Sequence, residues 1–194
     1  MFNENVSTNS LYGLYTRGAL IFVNSTIVDA QSKGSTALLL AGNIAESYPA
    51  TIVNSITVNT STKRNGFNTG QWTSDYLTFD HNLYGSYDIS ASVPSDKGNV
   101  LVSSLTDGSV TKIDTIVGGM SYYSWSGTAT GFSQTTKSTV VNTIKSNTKF
   151  GTKFYNWLDE LVGVSGDGLS ALDTDIRGVS RGTTNYWPGS YQSN

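Results

Sequence analysis

A three-residue core recurs thirty positions apart in this chain. Ile21-Phe22-Val23-Asn24-Ser25-Thr26-Ile27-Val28 and Thr51-Ile52-Val53-Asn54-Ser55-Ile56-Thr57-Val58 share Val-Asn-Ser between short apolar runs. Thr36 to Asn43 lies between them, and Asp75 to Tyr84 follows, with Asp80-His81-Asn82-Leu83-Tyr84 reading as the next repeat. Each run is too short for a helix, and each ends in Asn, Asp or Gly, which tolerate the backbone of a tight turn. No helical period runs through Leu20 to Asp88. Units of this size bury their apolar faces only by stacking on one another, so the spacing predicts parallel strands laid turn upon turn. Inward aliphatics would fill the stack, and Asn at the bends would bond its equivalent in the next turn, with Asn24 and Asn54 as the first such pair. A β-sandwich of seven or eight strands has similar strand lengths and punctuation and is the alternative.

Beyond the repeats the pattern changes. Tyr87 to Leu105, with Pro94 and Gly98, reads as an irregular excursion, and Val110 to Val117 as one more strand, ended by Gly118-Gly119. Thr135 to Lys145 reads as a short helix capped by Ser133 or Thr135. Between Phe150 and Val162, Phe154, Trp157, Leu158 and Leu161 fall at i, i+3, i+4 and i+7, which predicts an amphipathic helix stopped by Gly163 and packed on the end or flank of the stack.

The chain closes with Asp173-Thr174-Asp175-Ile176-Arg177-Gly178-Val179-Ser180-Arg181 and then Trp187-Pro188-Gly189-Ser190-Tyr191-Gln192. This D-x-R-G-x-x-R core followed by W-P-G-x-Y-Q resembles the closing segment of secreted bacterial proteins of the pectate-lyase-like, right-handed parallel β-helix architecture. Ser190 stands where Ala is expected. The resemblance covers about Leu20 to Asp88 and Phe154 to Gln192. It implies an all-β solenoid with a short C-terminal helical cap: a single domain over 1–194, with rung-like strands over 11–130 and helices plus closing cap over 131–194. In that cap Asp175 and Arg181 would make local turn hydrogen bonds or an ion pair, Gly178 and Gly189 would occupy positions that need a small residue, and Trp157 and Trp187 would seal the last rung. Strand-like sequence starts soon after a polar leader to Ser10, so the stack is expected either to lack upstream rungs or to have its first edge covered by an upstream domain or another copy of the chain.

Composition narrows the function. Only 13% of residues are charged, while Ser, Thr and Asn make up about a third of the chain, so neutral polar groups do most of the solvating. A net charge of -2 and a pI near 5.2 argue against nucleic acid as a partner. With no cysteine there is no disulfide or thiolate chemistry. Met1-Phe2-Asn3-Glu4-Asn5 opens without the basic and apolar regions of a signal peptide, and no apolar run is long enough to span a membrane.

Candidate chemistry is sparse. His81, the one histidine, has Asp80 beside it, but adjacent strand residues face opposite ways, so the two make a poor dyad. The resemblance implies that a lyase of this architecture would use a basic side chain, and Lys63-Arg64 in the loop between two rungs are the candidates; a solvated loop is the plainer reading. Calcium is the one cofactor the resemblance leaves open. Asp167 and the Asp173-Asp175 pair do not have the spacing of a calcium loop, and no metal site is expected from them. Aromatics are the stronger clue, because flat rings suit the apolar faces of sugars: Trp72, Tyr84, Tyr87, Tyr122 and Trp125 are the candidate ligand-binding residues. The expectation is an extracellular or cell-surface, carbohydrate-associated β-helix domain that contacts a polysaccharide or surface glycan without a complete catalytic site. A polysaccharide lyase or glycoside hydrolase fragment and a fibre or tailspike-like adhesion protein, forming homo-oligomers, are the alternatives.

Overall fold

The computed structural model describes residues 14–16, 19–29, 38–40, 48–59, 67–68, 76–84, 87–88, 98–101, 110–117, 120–125, 135–163, 170–175, 177–183 and 186–190. Strands β1 (Leu14–Thr16), β2 (Leu20–Val23) and β3 (Thr26–Asp29) are followed by β4 (Leu38–Leu40), β5 (Ala50–Val53) and β6 (Ile56–Asn59), and then by β7 (Phe67–Asn68), β8 (Leu77–Asp80) and β9 (Leu83–Tyr84). β10 (Tyr87–Asp88) and β11 (Val100–Leu101) come next, inside the stretch expected to be irregular. Through β9 the chain visits three parallel sheets in a fixed rotation, and β10 and β11 then extend the first and the third: β1-β4-β7-β10, β2-β5-β8 and β3-β6-β9-β11. Each circuit therefore lays one strand against the strand of the circuit before. Phe22 aligns with Ile52 and Ile52 with Phe79, while Thr26 aligns with Ile56 and Ile56 with Leu83. β12 (Val110–Val117) and β13 (Met120–Trp125) form an antiparallel hairpin whose register shifts between Ile113 and Val117.

Alternation along β5 explains how two apolar clusters meet at one strand. Successive strand residues point to opposite faces. Ala50 and Ile52 join Phe22, Ile27, Phe79 and Tyr84 on the face turned toward β3 and β9. Val53 faces the other way and packs with Val140, Val141, Ile144, Leu158, Leu172 and Tyr186. All four residues of β5 are buried, as expected of the middle strand of a parallel sheet covered on both faces.

The covering layer on the second face is helical. α1 (Lys137–Ser146) starts at Thr136, whose side chain accepts from the Thr139 amide at 3.1 Å, so the cap is neither Ser133 nor Thr135, as expected from sequence, but the residue after Thr135. Thr135 pairs instead with Tyr186, whose amide donates to the Thr135 carbonyl. Asn147 ends α1 and donates through Nδ2 to the carbonyls of Ala50 at 3.0 Å and Tyr76 at 3.1 Å, tying the helix to two successive circuits. A 3₁₀ turn (Thr148–Phe150) leads into α2 (Thr152–Gly163), and α3 (Ser170–Asp173) is a single turn.

The bends carry the repeat. Asn24, Asn54 and His81, each between the second and third strands of a circuit, have φ of 47°, 50° and 53°, and Gly98 before β11 has φ of 72°. Left-handed backbone strains most L-residues, while Asn and His tolerate it better than most and Gly adopts it freely. The residue after each bend forms a ladder. The amide of Ser25 donates to Ser55 Oγ at 3.2 Å, that of Ser55 to Asn82 Oδ1 at 3.0 Å, and that of Asn82 to Asn99 Oδ1 at 3.0 Å. The same side chains donate to the strand before the bend: Asn82 Nδ2 to the Ile52 carbonyl at 2.9 Å and Asn99 Nδ2 to that of Phe79 at 2.6 Å. Buried amides and carbonyls at the turns are thereby satisfied without regular strand pairing.

The Asn54–Asn24 bond expected from the repeat is present, Nδ2 to Oδ1 at 2.8 Å, but the pair faces the closing segment. Asn54 Nδ2 also donates to the Trp187 carbonyl at 2.9 Å, the Gly189 amide donates to the Asn54 carbonyl at 2.9 Å, and the Ser190 amide donates to Thr26 Oγ1 at 2.9 Å. The expectation of a cover on the last rung is corrected here: these bonds fasten the segment along the flank of the first two circuits. The physical reason is that bends at Asn24 and Asn54 leave polar groups pointing sideways, and an incoming extended backbone can satisfy them. Gly189 is needed at this contact, because a Cβ there would sit 2.5 Å from Thr26 Oγ1 and 2.8 Å from Ile56 Cδ1, on a backbone with φ of 83°.

Candidate functional site

The D-x-R-G-x-x-R core builds a buried polar knot. Asp175 accepts through Oδ1 from the amides of Arg177 at 2.8 Å and Val179 at 3.0 Å, and through Oδ2 from Arg177 Nε at 2.8 Å. Of the two expectations for Asp175 and Arg181, local turn hydrogen bonds and an ion pair, the first is what forms; the ion pair of Asp175 is with Arg177, whose guanidinium the tight turn at Gly178 folds back. Arg181, only 3% exposed, donates instead to the carbonyls of Thr174 at 3.1 Å, Trp187 at 3.2 Å and Gly189 at 2.7 Å. Burial pushes its pKa down, while the nearby Tyr186 and Asp175 push it up. Tyr186 donates its hydroxyl proton to the Leu172 carbonyl and accepts from Asn24 Nδ2 at 3.4 Å. Burial raises its pKa to about 12, against the opposing effects of the Asn24 bond and the Arg181 charge. These groups are consumed by the closure. Asp173 likewise pairs with Lys137, so both carboxylates of the Asp173-Asp175 pair considered for calcium are engaged by cationic side chains of the chain itself, while Asp167 lies outside the described residues. Among the described residues no cluster of three or more His, Cys, Asp or Glu is placed to hold a metal, and no helix is long and apolar enough to cross a membrane.

His81 is a bend residue, and its ring lies against Gly98 of the next circuit, where an added Cβ would come within 2.9 Å of Cδ2. Tyr84 is 6% exposed and meets Phe79 edge-on at 5.4 Å between ring centroids, so its faces are spent on the core and are closed to a ligand. Tyr87 lies in β10 opposite Phe67, and Tyr122 and Trp125 lie in β13 opposite Ile113 and Val110; their backbone positions alone are described. Lys63, Arg64 and Trp72 lie outside the described residues.

The aromatic groups the structure brings together are different ones. Leu158 is buried and Phe154 half-buried, as the stripe of α2 predicts, but Trp157 is 51% exposed and does not seal the cap. A helix can turn only part of a wide apolar stripe into one core, and residues 154 and 158 take that face here. Phe150 and Phe154 have ring centroids 4.9 Å apart, and Phe154 and Trp157 5.6 Å apart. Lys149 Nζ sits 4.8 Å from the ring centroid of half-buried Tyr76, within cation–π range. Tyr48, just before β5, is 41% exposed. An open cavity of about 350 Å³ beside α1 is lined by Lys137, Ser138, Val141, Asn142 and Thr183, but its ammonium group is held by Asp173.

Trp157 and its neighbours are not among the ligand-binding residues that the sequence suggests. The signal that marks them is a charge imbalance: no Asp or Glu occurs between Asp114 and Asp159, a stretch that contains Lys137, Lys145, Lys149 and Lys153. No family model, curated protein or solved structure matches this chain.

Proposed function

We propose that this chain is an extracellular or cell-surface domain of the right-handed parallel β-helix type that contacts glycans without a complete catalytic site of its own. Three strands per circuit, returning in register to three parallel sheets, support the architectural part of the reading. So do the side-chain ladder at the bends and a closing segment whose Asp175, Arg177 and Arg181 are used in its own turns. The observation that carries the glycan part is the exposure of Trp157 beside Phe154 and Phe150. A large ring left in water forgoes the roughly 1.5–3 kcal/mol that burying a large apolar side chain contributes, and such exposure is common at recognition surfaces.

An array of immobilised polysaccharides, run alongside an assay for unsaturated products on uronate polymers, tests the proposal. Binding without product is expected. Product that grows with time would replace the reading with a polysaccharide lyase, and no binding to any polymer would remove it, leaving a structural or adhesion role.

A further inference from the structure

We infer that Trp157, Phe150 and Tyr76, with the ammonium groups of Lys149 and Lys153, form a binding strip for an acidic polysaccharide. The inference rests on the glycan-contact reading and adds to it a place and a charge class. The strip is continuous: Tyr76 carries Lys149 over its ring, Phe150 follows Lys149 in the chain, and Phe154 links Phe150 to Trp157 through centroid distances of 4.9 and 5.6 Å. Centroid steps of 4.9 Å from Phe150 to Phe154 and 5.6 Å from Phe154 to Trp157 extend the strip beyond one aromatic ring, so more than one unit of a polymer can be met.

Charge selects among glycans. The whole chain carries -2, yet the stretch from 115 to 158 contains no carboxylate, and while its Lys137 is paired with Asp173, its Lys149 and Lys153 are exposed next to Phe150 and Phe154 in the chain. Both exposed lysines precede Trp157 in the chain, while the carboxylates Asp159 and Glu160 follow it. Rings that stack on the C–H faces of sugars, set between ammonium groups that pair with carboxylate or sulfate, match a polymer having both features. A neutral glycan would leave the lysines without a role. A nucleic acid would engage cations chiefly through phosphate and needs a broader basic footprint than two exposed lysines.

Binding of the full chain to a polyuronate, a sulfated glycan, a neutral glucan and duplex DNA, at low and physiological salt, tests this. The polyuronate or the sulfated glycan is expected to bind, and the comparison of the two identifies the anion. Trp157→Ala should weaken that binding roughly tenfold or more, while Trp157→Tyr retains most of it. Lys149→Gln with Lys153→Gln should weaken it several-fold and flatten its salt dependence. Circular dichroism that matches the parent protein establishes that each variant is folded. Acidic-glycan binding untouched by Trp157→Ala overturns the site and leaves the glycan-contact reading standing. Equal binding of neutral glucan overturns the charge class, equal binding of DNA overturns the glycan selectivity, and silence toward every polymer overturns this inference together with the reading it rests on.

Discussion

The ladder from Ser25 to Asn99 and the closing knot from Asp173 to Ser190 both satisfy buried backbone groups with side chains, but in opposite ways. The ladder repeats one solution: an amide of one circuit donates to a short side chain of the next, and that side chain returns a proton to a strand carbonyl. The knot is solved once. One buried guanidinium serves three carbonyls, and one carboxylate serves two amides and a guanidinium. A repeated network spreads its dependence over many residues, whereas a single-centre network concentrates it.

The largest effect is therefore expected at the centre of the knot. Arg181→Ala leaves three carbonyls without their charged donor, and a loss of about 3–5 kcal/mol is expected in chemical unfolding followed by tryptophan fluorescence. A change below about 1 kcal/mol would show that water replaces the guanidinium easily and would erase the contrast. Within the ladder, Asn82→Ala removes a fully buried amide that serves the Ser55 N–H and the Ile52 carbonyl, and about 2–3 kcal/mol is expected by the same measurement. Asn82→Ser should recover part of this, because Ser55 fills the equivalent place one circuit earlier; failure to recover would mean that the circuits are not interchangeable.

Alkaline pH probes the knot and not the ladder. Tyr186 has its pKa raised to about 12 from an unfolded value of about 10. The sign follows from which state loses its proton first: below pH ~10 both states keep it and the contribution is fully present, and between pH ~10 and ~12 the unfolded chain ionises while the folded one does not, so stability falls. The loss should approach about 2 kcal/mol and be absent in Tyr186→Phe, as measured by unfolding at a series of pH values. An unchanged slope in the variant would assign the alkaline loss to other tyrosines. The smallest effect is expected at the bends. His81→Asn places in the third circuit the residue used in the first two, and should change stability by no more than about 1 kcal/mol in thermal unfolding. A larger loss would show that the His81 ring over Gly98 contributes more than its backbone conformation does.

Much of the repeat is legible in the residues themselves. Val-Asn-Ser at thirty-residue spacing anticipates the alignment of β2 with β5 and β3 with β6, and the direct Asn54–Asn24 bond. The apolar stripe anticipates α2, and the need for a small residue at Gly178 and Gly189 is visible from the closing motif. The second line of the ladder is not legible, because Ser55, Asn82 and Asn99 occur at unequal spacings and share only the ability to bridge an amide and a carbonyl. Nor is β11, two residues long and held by register with β9.

Sequence alone determined which residues turn and which alternate, because a left-handed bend and a two-residue period are properties of neighbouring atoms. Tertiary structure decided the partners of the charged groups and the fate of each ring. Arg181 and Arg177 are both arginines within reach of Asp175 along the chain, and only the turn at Gly178 and the approach of the Trp187 carbonyl sort them. Tyr84 and Trp157 are both large aromatics, and the packing of the short strand β9 in the stack and of α2 against it makes the first a core residue and leaves the second in water. Burial is a property of what comes to lie opposite a residue, and that is settled by contacts between segments far apart in the chain.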